Sequence, residues 1–118
     1  MSHVRLEVPP GSVARVRLID TTTSIKTLKT HHLIGPPMPG MDVMPDLPGW
    51  SFLVESPDGR KALFDLGIPP NYKSFSPWVL RFLEMDDWGW QISSEKHVAN
   101  ILESGGVDPA SITDIVWR

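Results

Sequence analysis

No cysteine occurs anywhere in the chain. That absence excludes a disulfide framework, a thiolate zinc site and a cysteine nucleophile together. Long apolar runs are missing too. The opening stretch MSHVRLEVPPGSV holds none, so neither a signal peptide nor a membrane span is expected. Both absences fit a reducing interior, and a cytoplasmic location is the expectation. Charge is not massed by sign: 14 acidic and 11 basic side chains are interspersed, for a net charge of −3. A surface of that kind gives no hold to nucleic acid or to a membrane face, and neither is expected as a partner. A glycine-rich phosphate loop and a Gly-x-Ser-x-Gly element are also absent.

What is present is enough for a folded domain. Hydrophobic residues make up 41% of the 118 and charged residues 21%, which sets the chain apart from disordered sequences. Its length allows one domain at most. Twelve prolines and nine glycines punctuate it. Several of each fall in IGPPMPGMDVMPDLPGW, residues 34–50, which can be neither helix nor central strand. A loop of that length is more often a functional or flexible segment than a plain connection. The chain therefore divides into an N-terminal strand with its Pro/Gly-rich loop (1–49) and a second part (50–118).

Alternating apolar and charged residues over 13–23 predict a first strand. WSFLVES (50–56) and RKALFDLG (60–67) flank Pro57-Asp58-Gly59, and together they predict a β-hairpin. Ser76 followed by Pro77 starts a short helix expected to run through Met85. A second helix is expected over 95–106, capped by Ser94 and ended by Gly105-Gly106. After the Val107-Asp108-Pro109 turn, Ile112 to Trp117 reads as a strand buried on both faces, an α/β signature.

Three pieces occur together in order: a strand ending Phe64-Asp65-Leu66-Gly67, a helix ending in Gly-Gly-Val-Asp-Pro (105–109), and the apolar strand 112–117. The combination resembles the N-terminal part of a metallo-β-lactamase-fold hydrolase, most of all its lactonase-like branch, over roughly residues 50–118. The resemblance implies an α/β fold, half of an αββα sandwich made of hairpin, helical insert, helix and buried strand. It implies a parent that uses zinc to hydrolyse lactone, ester or related bonds in a small-molecule substrate. In that family Asp65 would lie beneath the metal site and hydrogen-bond the loop carrying the ligands, with Gly67 shaping its turn. The family's His-x-His-x-Asp-His motif would begin where this chain stops. The expectation is thus a fragment without catalytic residues, metal ligands or bound zinc, inactive by itself.

The remaining candidates have plainer readings. His31 and His32, as neighbours in an extended segment, would point to opposite sides of a solvated loop and chelate poorly. His97 reads as a surface residue, and His3 as part of a frayed terminus. Trp78, Trp88 and Trp90 are either an aromatic lid over a substrate pocket or packing of the helical insert against the sheet. Glu84, Asp86 and Asp87 read as a solvated acidic turn. A rival to the hydrolase fragment is a small non-enzymatic interaction module that uses the Pro-rich loop and the tryptophans as its contact surface.

Overall fold

A computed structural model describes residues 7–84 and 88–117. His3, Met85, Asp86 and Asp87 lie outside the described residues. The fold is mixed α/β: a curled, open five-stranded sheet with two short helices. In chain order the elements are β1 (Arg15–Lys26), β2 (Leu47–Glu55), β3 (Lys61–Phe64), α1 (Pro77–Leu83), β4 (Gln91–Ser93), α2 (Val98–Ser104) and β5 (Asp114–Val116). The strands lie in the order β4-β1-β2-β3-β5. All neighbours are antiparallel except β3 and β5, which run parallel across the connection that carries both helices. Among the described residues no helix is long and apolar enough to cross a membrane.

The hairpin forms as its turn chemistry predicts. Phe52 pairs with Phe64 and Val54 with Ala62, and Gly59 takes a φ of +90° in the turn. Strand alternation then sorts the side chains by face. Ile19, Leu53 and Leu63 share the face covered by α2, where they form the core with Leu102 and Val107. Arg17 lies on that face as well and clasps Glu55 through two guanidinium nitrogens at 2.8–3.1 Å. The opposite face, with Val16, Leu18, Phe52, Phe64 and Val116, is exposed, with nothing over it among the described residues. A one-sided sheet makes a flat molecule. The radius of gyration is 18.1 Å, against about 13–14 Å for a compact chain of this length.

Several boundaries differ from the sequence-based expectation, each for a physical reason. β1 runs three residues further than expected, to Lys26, because its far end gains β4 as a partner. It carries an irregularity between Asp20 and Ser24, where Thr22 adopts a φ of +60°. α1 starts at Pro77 as expected, with the Ser76 hydroxyl accepting from Val79 N at 3.5 Å, and ends at Leu83. α2 begins at Val98 with His97, not Ser94, at its N-cap. The Thr22 hydroxyl takes the backbone N–H groups of Glu95 (3.1 Å) and Lys96 (3.0 Å), which holds that stretch outside the helix.

The expected buried terminal strand is corrected. β5 is a three-residue strand on the sheet edge, exposed along its whole length, with Ile115 58% exposed and Trp117, just beyond it, 71%. Its sequence is apolar enough for burial, but β5 pairs with β3 at the sheet edge and its side chains stay exposed.

Candidate functional site

The far half of β1 and the segments that lean on it gather the candidate residues. The run Asp20-Thr21-Thr22-Thr23 organises this end of the sheet through its hydroxyls. Thr21 is buried and donates to Gly49 O at 2.8 Å. Thr23, also buried, donates to Ile68 O (3.2 Å) and accepts from Ile68 N (3.0 Å). These bonds dock the turn after β3 onto β1. Buried hydroxyls have to be paired, and here the pairing decides where that turn sits.

Asp65 opens the turn at a φ of +66°, a left-handed conformation uncommon for a residue with a side chain. Its Oδ1 accepts from Leu66 N at 2.7 Å and Gly67 N at 3.2 Å. Its backbone is fixed from both sides: Asp65 N donates to Val116 O at 2.8 Å, and its carbonyl accepts from the buried Ser51 hydroxyl at 2.6 Å. Gly67 follows at a φ of +64°, backed against Thr21 and Thr23. The carboxylate thus serves its own turn in this chain.

A second group lies beyond the end of β1. Lys29 N donates to Trp88 O at 3.0 Å and the Thr27 hydroxyl to Gly89 O at 2.6 Å, so the tryptophan segment is tied to the strand. Trp88 stacks on Trp90 with centroids 4.8 Å apart, and Phe82 meets both edge-on. His32 stacks on Trp88 with centroids 4.4 Å apart, and His31 leans on His32 at 4.1 Å. The expected extended geometry of the two histidines is corrected. They lie in a 3₁₀ turn, Thr30–His32, which brings their rings together. Trp78 is 76% exposed and stands apart from the stack. His97 is exposed at the start of α2, as a surface residue would be. Among the described residues, no three of His, Asp and Glu come together as a metal site would need.

Next to the histidines is a hollow of about 600 Å³ between the 3₁₀ turn and the Pro-rich loop. The loop is clasped rather than free. Thr30 N donates to Asp42 O at 3.0 Å, Met44 N to Leu28 O at 2.8 Å, and Lys29 bridges to Val43. Ile34, Pro37, Met38, Met41 and Val43 line it, with Lys29, His31 and Asp42 among its polar residues. Sequence reasoning missed the threonines at 21–23 and Thr30. The one signal was the unusual run of hydroxyl residues from Thr21 to Ser24.

No family model matches the chain. It is similar to Gamma-lactamase FDB1 of Fusarium pseudograminearum (strain CS3096), at 25% identity over 127 aligned positions that take in 99% of this chain and 30% of that protein. The chain therefore spans about 30% of the length of the curated relative it matches. This overturns the metallo-β-lactamase assignment. The likeness runs through residues 1–49 as well, which the three motifs did not touch. Two of those motifs have local explanations that any fold can share. Asp65 bonds its own turn, and Asp108 accepts from Ala110 N at 2.9 Å to cap the turn Pro109–Ser111. The comparison shows a distant relation, across the whole of this chain, to a γ-lactamase hydrolase longer than itself.

Proposed function

We propose that this chain is part of a protein that hydrolyses small cyclic amides of the γ-lactam type, and that it forms one wall of the substrate site. The observation that carries the reading is the similarity, over 99% of this chain, to 30% of a protein named as a γ-lactamase. Opening a lactam requires attack on the amide carbonyl, stabilisation of the oxyanion that forms, and a proton for the departing nitrogen. The described residues assemble no such set. Ser51, the buried serine nearest the Asp65 turn, spends its hydroxyl on the backbone oxygens of Phe64 and Asp65. What they do assemble is an open apolar hollow beside a group of stacked rings, a surface suited to receiving a ring. The hydrolytic groups belong, on this reading, to the part of the protein that corresponds to the rest of the relative.

The test is to incubate the purified chain with pyrrolidinone and an alkyl-substituted pyrrolidinone, and to assay for the ring-opened amino acid. The expected result is no turnover together with saturable binding. Turnover by the chain alone would overturn the division of labour. Failure of any γ-lactam to bind would overturn the reading itself.

A further inference from the structure

Three of the five methionines fall in the stretch Met38-Pro39-Gly40-Met41-Asp42-Val43-Met44, and a turn brings two of them together. Met41 N donates to Met38 O at 3.1 Å, and Gly40 between them takes a φ of +79°. Proline second and glycine third in a bonded turn mark type II, whose first and fourth Cα atoms lie within about 7 Å. Both methionines line the same hollow. His31 lines it as well, from the 3₁₀ turn. An antiparallel run of contacts holds the two segments together. Met44 N bonds Leu28 O at 2.8 Å, Lys29 bridges to Val43, and Thr30 N bonds Asp42 O at 3.0 Å. The next residues along the two segments are His31 and Met41. All three side chains can be reached from solvent: His31 is exposed, Met38 is 46% exposed and Met41 is half-buried. Met44 is not part of the hollow's lining.

We infer that His31, Met38 and Met41 form a binding site for copper(I), held by two thioether sulfurs and one imidazole nitrogen. A thioether is neutral, soft and polarisable, and such ligands select copper(I) rather than zinc. Only one imidazole and no carboxylate enter this donor set, so it is a different site from the zinc centre the chain lacks. The turn fixes the two methionine backbones, and three rotatable bonds in each side chain let the sulfurs converge on the imidazole. Charge favours a monovalent ion over a divalent one. Lys29 and Asp42 both line the hollow and offset each other, so nothing there repays a second positive charge. The site does not rest on the function proposed above.

The experiment titrates the full chain with copper(I), kept reduced by ascorbate without oxygen, against the copper(I)-binding dye bicinchoninate. Silver(I), equally soft and monovalent, is titrated in parallel into chain carrying ¹³C-labelled methionine methyl groups. One equivalent of each metal should bind, and the Met38 and Met41 methyl signals should shift while that of Met44 stays. Met38→Leu and Met41→Leu keep an apolar side chain of similar volume, and each should weaken copper(I) binding about tenfold. His31→Phe, which keeps a ring against His32, should weaken it by a similar factor. Met44→Leu should bind like the parent chain, and zinc should leave the methyl signals in place. Parent affinity no tighter than that of the double variant Met38→Leu, Met41→Leu would overturn the site. So would unchanged affinity in His31→Phe, or a Met44 shift as large as that of Met38.

Discussion

Gly67 stands so close to Thr21 that a Cβ added to it would lie 2.5 Å from the threonine Oγ1 and 2.7 Å from its Cβ. The contact joins the turn after β3 to the buried centre of β1. It also sits at a φ of +64°, where any side chain is strained. Gly67→Ala should therefore combine backbone strain with a clash and cost about 2–4 kcal/mol. Gly40, at a φ of +79° with open space around it, isolates the first effect. Gly40→Ala should cost about 1–2 kcal/mol. Urea unfolding midpoints at unchanged slope would measure both; equal losses would mean that Thr21 yields freely.

Asp65 offers a second separation of causes. Asp65→Asn keeps an acceptor for Leu66 N and Gly67 N and tolerates the left-handed backbone, so it should be nearly silent. Asp65→Gly should lose the hydrogen bonds and keep the conformation. Asp65→Ala should lose both and be the least stable, by about 1–2 kcal/mol relative to the parent. A different ranking in thermal or urea unfolding would remove the local role assigned to the carboxylate.

The bare sheet face has a consequence in solution. Phe52 and Phe64 are 38% and 40% exposed with their ring centroids 6.5 Å apart, and Leu18 and Val16 continue the patch. Exposed apolar area of this kind costs about 25 cal/mol per Å² and promotes association. The chain should bind a hydrophobic dye and self-associate in sedimentation velocity. The pair Phe52→Lys with Phe64→Glu, opposite each other across strands, should reduce both signals. A monodisperse parent chain without dye binding would count against an exposed face.

Acid should act on the hairpin turn. The Ser56 hydroxyl, then the Arg60 backbone N–H and the Arg60 guanidinium, hold the Asp58 carboxyl below its ordinary value of 3.8. A carboxylate lowered in the folded state adds stability above its unfolded pKa and loses it as pH falls through the folded one. The contribution should therefore be complete above about pH 5 and fade below about pH 4. Ser56→Ala, which removes the largest cause, should raise the Asp58 titration midpoint in an NMR pH series. No movement would mean that Arg60 alone sets it.

Zinc should find no stoichiometric site in this chain. His31 and His32 lie side by side, but among the described residues they gain no third donor. A competing chelator dye should strip the metal at micromolar strength. One tightly held equivalent, lost in His31→Ala, would reveal a donor set the fold does not show.

The local elements were legible in the sequence because their causes are local. Pro57-Asp58-Gly59 makes a turn wherever it stands between two apolar runs, and Ser76-Pro77 starts a helix with its own atoms. The tertiary structure decided what depends on distant partners. Ser94 has the chemistry of an N-cap, yet the amides beyond it are taken by Thr22, more than seventy residues away in the chain, and the helix starts three residues later. Ile112 to Trp117 has the composition of a buried strand, but burial belongs to whatever covers a strand: Ile112 packs against the core, while Asp114 to Trp117 run exposed along the sheet edge. The hollow is the clearest case. Its prolines and methionines announced a loop, while the closure that gives it volume comes from Thr30 bonding to Asp42 and Lys29 bridging to Val43. Sequence sets which groups a residue can offer; the fold decides which of them find a partner, as Thr22 does with the amides of Glu95 and Lys96.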